Sequence, residues 1–403
     1  MREKKFLFNS LKYIFVSGFS KGFNYLILLY FAVGIYSEQY VTILLLLSLE
    51  QLLSLLLPLN NSNIIYSKNI LIYDKITNKL ISSSFLITAI YLLLFLIFKQ
   101  NFYTYFETKN SLIFFSIFIS ILINAYMVYL TNYYKLVEEH NKALLIQSIY
   151  FISFISIIIF VFIFENKILA FFFGKCIGLI LMLILVKIFK LDITKFRTSY
   201  LNLEEWKKII NLFSVSILGW LSGLGFMNLA KLYADPENLA TIGYILNIWN
   251  VFLLISTGIN SVYNPLIKKY ILQDNFIKAK TSKNNVLLIY IAVSFLVLGA
   301  YYLIDLSKIL ESYGKVDEVF SVLPYTILIF LISAFYYVIH PFYLANDKFG
   351  VFNRINIISH LLWGSLILIL TYLNLKNYIW FLVFLYFFKC ISLYVYAQIK
   401  LMR

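Results

Sequence analysis

Apolar runs near the length of a bilayer crossing recur along the whole chain, and short polar connections separate them. Roughly 20 residues suffice for a helix to span the hydrocarbon layer. The alternating ~10-residue segments of a membrane β-barrel are missing from the pattern. The chain therefore reads as an all-α polytopic membrane protein with about 12 transmembrane helices. The first six spans are expected near 11–34, 39–66, 81–98, 111–133, 143–163 and 167–187. The second six are expected near 209–233, 238–263, 284–304, 318–345, 351–373 and 377–398. Pro58 and Pro341 fall inside the second and tenth spans and are expected to kink them. Two connections, Tyr66–Leu80 and Tyr270–Asn284, carry amphipathic patterns and are expected as helices on the cytoplasmic surface.

The pattern also repeats. Glu38-Gln39-Tyr40-Val41-Thr42-Ile43 realigns with Glu237-Asn238-Leu239-Ala240-Thr241-Ile242, and Asn61-Ser62 with Asn260-Ser261, at one common offset. Gly18-x-x-x-Gly22 matches Gly219-x-x-x-Gly223, and Asn124-Ala125-Tyr126 matches Ser333-Ala334-Phe335. The order and spacing imply two parallel six-helix lobes, 1–198 and 199–403, around a central cavity. The Gly-x-x-x-Gly patterns, with Gly174-x-x-x-Gly178 as the third, are expected at close helix contacts.

Composition agrees with the pattern: 62% of the 403 residues are hydrophobic and 13% charged, with a mean hydropathy of +0.84. A soluble domain does not carry that balance. The net charge of +15 would suit nucleic acid, but its placement argues for the membrane. Of the 34 lysines and arginines, 24 lie at the termini and in even-numbered connections. Only Lys99, Lys109, Lys167, Lys308, Lys315 and Lys376 lie in odd-numbered ones. The positive-inside rule then puts both termini in the cytoplasm. Met1-Arg2-Glu3-Lys4-Lys5 is basic like a signal peptide, but the apolar run behind it is long and lacks a small-residue cleavage site. It reads as a retained first helix. Cys176 and Cys390 both fall in apolar spans and are expected as packing residues. His140, His340 and His360 have no metal-ligand spacing, so neither a metal nor another cofactor is expected.

Polar residues inside spans mark the transport path of a membrane carrier. Span one holds Ser17, Lys21 and Asn24 on one helical face, and a lysine at such a depth costs at least ~2.5 kcal/mol on insertion scales. Span two adds Ser48, Glu50, Gln51 and Ser54, and span eight adds Asn247, Asn250 and Thr257. Spans six, seven and twelve add Lys175, Lys231 and Lys389. Lys21, Asn24, Lys175, Lys231, Lys389, Gln51, Asn247 and Asn250 are the candidate cavity residues. Lys231 lies near the outer end of its span and has snorkelling to the interface as its competing role, and Lys389 shares that alternative. Glu50 is the acidic residue within the spans; it either pairs with Lys21 or titrates in coupling. Fixed ammonium groups suit a cargo bearing phosphate or diphosphate, and Asn, Gln and Ser suit sugar hydroxyls.

The twelve-span plan, the repeat, Leu11–Gly34 followed by Ser37-Glu38-Gln39-Tyr40, and Ile242-Gly243-Tyr244 followed by Asn264-Pro265-Leu266-Ile267-Lys268 resemble one family. It is the Wzx-like O-antigen and polysaccharide flippase branch of the multidrug/oligosaccharidyl-lipid/polysaccharide exporter superfamily. The resemblance implies no enzyme but a flippase of the bacterial inner membrane. Its cargo would be an undecaprenyl-diphosphate-linked oligosaccharide, moved from the cytoplasmic to the periplasmic leaflet by alternating access. A gradient of H+ or Na+ as driving force and other polysaccharide-assembly membrane proteins as partners are implied in the same way. Drug-exporting relatives often use an acidic residue in the first helix, where this chain has Lys21. The alternatives are a cation-coupled multidrug exporter of the same fold and an integral-membrane polymerase or glycosyltransferase. The second lacks the large external loop such enzymes need, since Asp305–Asp317 is the longest external connection, and no phosphate-binding glycine loop occurs.

Overall fold

The computed structural model describes residues 37–60, 73–137, 139–192, 198–221, 223–231, 236–303, 323–346, 348–372 and 378–401, with Lys12, Phe15, Val16, Ile27 and Leu28. These residues are all-helical: α1 Ser37–Leu55, α2 Tyr73–Ile97, α3 Lys99–Phe106, α4 Ser111–Leu136, α5 His140–Ile149, α6 Phe151–Ile163, α7 Lys167–Ile188, α8 Leu203–Leu221, α9 Gly225–Ala230, α10 Pro236–Leu272, α11 Phe276–Leu303, α12 Leu323–Ala345, α13 Phe349–Tyr372 and α14 Tyr378–Lys400. Among the described residues, six helices are long and apolar enough to cross a membrane: Thr77–Ile97, Ser111–Lys135, His140–Ile163, Lys167–Ile188, Phe276–Gly299 and Leu323–Tyr343. The chain is a polytopic helical membrane protein.

The helix ends follow local chemistry that is visible in the sequence. Asn110 and Asn166 cap α4 and α7, their side-chain oxygens accepting from the Leu112 and Leu169 amides at 2.9 and 3.0 Å. Asn202 and Glu205 form a reciprocal capping box at the start of α8, with both bonds at 2.9 Å. Between α10 and α11 one short turn does both jobs. Asp274 takes a left-handed φ of 53°, the Asn275 amide reaches back to the Tyr270 carbonyl at 2.9 Å, and the Asn275 side chain caps α11 through the Lys278 amide.

That turn corrects one expectation. Tyr270–Asn284 is not a separate surface helix, because α10 runs through Leu272 and α11 starts at Phe276. At 37 residues, α10 is about 55 Å long and extends well beyond the hydrocarbon layer. Likewise Tyr73–Leu80 is the opening of α2 rather than a surface helix, while 66–72 lie outside the described residues. Pro58 does not kink a helix: α1 ends at Leu55 and Pro58 opens a short 3-10 turn to Asn60, where it forgoes no helical hydrogen bond. Asn60 folds back to donate to the Ser54 carbonyl at 2.7 Å. Pro341, by contrast, lies within a continuous α12. His140 is the first residue of α5 rather than part of a loop.

The helices form two compact units: Tyr36–Asn228, with α1–α8, belongs to the first, and Leu229–Arg403, with α10–α14, belongs to the second, which also takes Lys12 and Leu28. In the first unit α6 and α7 pack most extensively. Gly174 and Gly178 let them approach: a Cβ on Gly178 would stand 2.5 Å from the Ser153 Cα, and one on Gly174 2.9 Å from the Ile157 Cα. Gly219 and Gly223 are different. A Cβ on Gly219 would meet nothing within 4 Å, and one on Gly223 only backbone of its own segment. No close contact with another helix is seen at this pair among the described residues; Gly219 lies in the last turn of α8 and Gly223 in the break before α9. Gly18 and Gly22 lie outside the described residues. In the second unit, tyrosine hydroxyls bond to carbonyls of neighbouring helices: Tyr263 to Val338 at 2.7 Å and Tyr343 to Leu393 at 2.8 Å. Cys176 and Cys390 are buried free thiols.

Replacing Gly178 with Ala should lower stability by about 1–3 kcal/mol through overpacking against α6. Gly219→Ala should be neutral or stabilising by up to about 1 kcal/mol, from helix propensity alone. Thermal unfolding of the two detergent-solubilised variants measures both, and equal loss in the two would contradict the contact.

Candidate functional site

Among the sequence-predicted residues, the first unit brings Glu50 and Lys175 together. Lys175 follows Gly174 on α7; a step of 100° turns it off the face that packs on α6 and toward α1. Its ammonium meets Glu50 Oε1 at 2.7 Å and Oε2 at 2.8 Å. The carboxylate is 7% exposed and the lysine 21%. In an apolar medium such a pair compensates two charges that neither helix could carry alone. Glu50 thus has a partner in Lys175 from α7. Lys21 and Asn24 lie outside the described residues.

Two residues before Glu50, on the other side of α1, a second polar set begins. The fully buried Ser48 accepts twice: its carbonyl takes the Trp220 indole N–H at 2.9 Å and its hydroxyl takes Asn228 Nδ2 at 2.6 Å. Tyr105 of α3 donates to the other end of the Asn228 amide at 3.1 Å. The Trp220 ring lies against Gly225, where any Cβ would stand 2.5 Å from it. At the opposite end of α8, Glu205 pairs with Lys79 of α2 at 3.0 Å, both about one-sixth exposed. The Leu201 amide donates to Ser83 at 3.2 Å. Sequence reasoning found Ser48 as one polar residue of span two. It missed Trp220, Asn228 and Tyr105, which stand 123 to 180 residues from their partners.

In the second unit Lys389 sits midway along α14 and is 9% exposed. It lies over the rings of Tyr336 and Tyr386, 5.5 and 5.9 Å from their centroids. His340 stacks on Tyr336 at 5.4 Å and Trp249 packs on Tyr386 at 5.5 Å. The aromatic faces offset part of the cost of burying the ammonium, and no carboxylate among the described residues pairs with it. Asn250 is half-buried on α10, next to Trp249. Gln51 is exposed on α1 and Lys231 half-buried just past α9; the Asn247 side chain lies outside the described residues.

No protein-family model matches the chain, and no curated protein sequence does either. Solved structures do. Over 98% of the chain the fold is similar to 94% of the eukaryotic MATE transporter AtDTX14, at 13% identity and a TM-score of 0.68. An outward-facing multidrug resistance MATE family transporter of the MOP superfamily matches over 98% of this chain and 95% of its own, at 12% identity and a TM-score of 0.68. The chain has the MATE transporter fold. A third match with that fold is a MOP superfamily transporter from Pyrococcus furiosus, at 12% identity, a TM-score of 0.70 and coverage of 98% and 95%. The reverse polarity of that protein's binding pocket is held to suggest a different function. In this MATE-fold chain the functional candidates are a carboxylate on α1 paired with Lys175 and an ammonium on α14 with no carboxylate partner among the described residues.

Lys175→Met should destabilise the protein by about 3–5 kcal/mol, because it leaves Glu50 buried without its partner. Adding Glu50→Gln should restore a large part of that loss. Unfolding of the single and double variants in nanodiscs measures the coupling, and additive losses would show that the two side chains act independently.

Proposed function

We propose that the protein is a flippase for a polyprenyl-diphosphate-linked oligosaccharide, such as an O-antigen or capsule repeat unit. It works by alternating access in the bacterial inner membrane, with both termini cytoplasmic and no covalent chemistry of its own. The observation that carries this reading is the state of the intramembrane charges. Glu50 is already engaged by Lys175, whereas Lys389 is buried among aromatic rings without a carboxylate among the described residues. A cationic drug needs a free carboxylate; a diphosphate needs a free ammonium. The fold supports an exporter, and a neighbour of this fold whose binding pocket has reverse polarity supports a cargo other than a cationic drug.

Lys21, Asn24, Gln51, Lys231, Asn247 and Asn250 belong to the cargo path in this reading, Lys389 receiving the anion and the amides the sugar, while Lys175 is held by Glu50. The six-helix halves 1–198 and 199–403 are the moving repeats, and a cation gradient drives them. The second reading, a cation-coupled multidrug exporter, is favoured by the neighbour named for multidrug resistance.

Deleting the gene should cause lipid-linked diphosphate oligosaccharide to accumulate on the cytoplasmic face, measured by lipid extraction and mass spectrometry. Lys389→Gln, expressed at normal level, should restore less than about a tenth of surface polysaccharide, the loss expected on removing one charge-assisted contact. Unchanged lipid intermediates together with new sensitivity to cationic drugs would replace this reading by the second.

A further inference from the structure

The turn that joins α10 to α11 presents apolar groups where lipid does not reach. Among the described large hydrophobic residues only Phe162, at 81%, is more exposed than Ile277 at 80%, and Leu272 is 70% exposed. Phe162 falls inside the span expected at 143–163, where acyl chains cover it. Leu272 stands nine residues past the expected end of its span at 263, and Ile277 seven before the expected start of the next at 284. At 1.5 Å per residue these offsets are about 14 and 10 Å from the hydrocarbon edge. The headgroup layer is only about 5–8 Å thick on each side. Both aliphatic side chains therefore stand in water. The backbone that carries them is fixed. The Asp274 and Asn275 amides bond to the Ile271 and Tyr270 carbonyls at 3.0 and 2.9 Å, and the Ala279 amide to the Asn275 carbonyl at 3.1 Å. Ile271 and Ala279, 8% and 0% exposed, anchor the two arms.

One exposed aliphatic side chain on a surface is ordinary. Here two share a rigid apex, and charge is arranged around them. Lys269 and Leu272 are spaced i, i+3, as are Ile277 and Lys280, so each aliphatic shares its helix face with a lysine. Lys269, Lys278 and Lys280 are all exposed, and Asp274 is the exposed carboxylate of the apex, which is left positive. An apolar centre with a charged rim is the anatomy of a protein–protein contact. Nucleic acid would use the lysines and leave the aliphatics idle. A bilayer would need the apex level with the headgroups, and it stands beyond them. We propose that the apex of the α10–α11 hairpin docks an acidic cytoplasmic protein. Leu272 and Ile277 enter an apolar groove of that partner, and the lysines face carboxylates along its rim. The cytoplasmic side rests on the orientation in the proposed function; the contact itself does not depend on the cargo.

The test is photo-crosslinking in the cells that make the protein, with p-benzoylphenylalanine in place of Ile277 or of Leu272 in the full chain. The same group in place of Phe162 is the lipid-facing control. Each of the two apex positions should give one discrete protein adduct, the same for both and missing from the control, with the partner named by mass spectrometry. That partner is then purified and titrated against the full chain in nanodiscs. Lys278→Glu with Lys280→Glu should weaken binding about tenfold or more, and Leu272→Ser with Ile277→Ser about as much. All four side chains are exposed, so both double variants should melt with the unmodified protein. No adduct, an adduct with phospholipid, or one with a second copy of the chain would each overturn the proposal. A captured protein whose binding either pair of substitutions leaves unchanged would overturn it as well.

Discussion

A charge carried into hydrocarbon must find its compensation inside the protein, and the first unit is arranged around that constraint. Gly174 and Gly178 draw α7 onto α6, and this contact fixes the rotation of α7. The fixed rotation sends Lys175 away from α6 toward α1, where Glu50 answers it with both oxygens. Two residues earlier on α1, about 200° around the helix, Ser48 serves Trp220 and Asn228 instead. Helix α1 is therefore held on two sides by different chemistry. One side is ionic and would be costly to break; the other is made of neutral hydrogen bonds worth about 1 kcal/mol each.

In the second unit no carboxylate among the described residues answers the buried Lys389. Lys389 is placed over two tyrosine rings, and the tyrosine hydroxyls deeper in the unit are spent on backbone carbonyls. Aromatic faces stabilise an ammonium without neutralising it. That difference between the units follows from composition: Glu50 is the acidic residue within the expected spans, and it resides in the first half.

What was legible in the sequence was whatever lipid and local backbone chemistry dictate. The spans expected at 111–133 and 167–187 end within a few residues of α4 and α7, because asparagine caps and charged turns mark their limits. Glu50 and Lys175 stood out because charge in an apolar run is conspicuous. Their pairing was not legible, since the two are 125 residues apart and any of several intramembrane lysines would have served. Over 73–80 and 270–284 the expected surface helices are instead parts of longer helices, for a related reason. Helices that leave the bilayer gradually keep their hydrogen bonds while turning polar, so an amphipathic end looks like a separate element. Glycine spacing was equally ambiguous: the same pattern marks tight contact at 174 and 178 and a chain break at 219 and 223.

The repeat and the packing divide the chain at different points, and α8 is the reason. By the repeat it opens the second half; by its contacts it belongs to the first unit, which extends to Asn228. The Lys79–Glu205 pair and the Ser83 bond hold its beginning, and the Trp220 and Asn228 bonds hold the segment around its end. All of these are half-buried or neutral, so each contributes about 0.5–1.5 kcal/mol rather than the several kcal/mol of the Glu50 pair. Glu205 also serves in the capping box of α8. Releasing Lys79 therefore leaves the helix start intact, and α8 can part from α2 without unravelling. The glycine-rich break before Gly225 gives the other end the same freedom, since rotation there crosses no continuous ladder of helical hydrogen bonds. Helix α8 is thus held at both ends by several weak contacts, while the ionic link between α1 and α7 is the stronger tie within the unit.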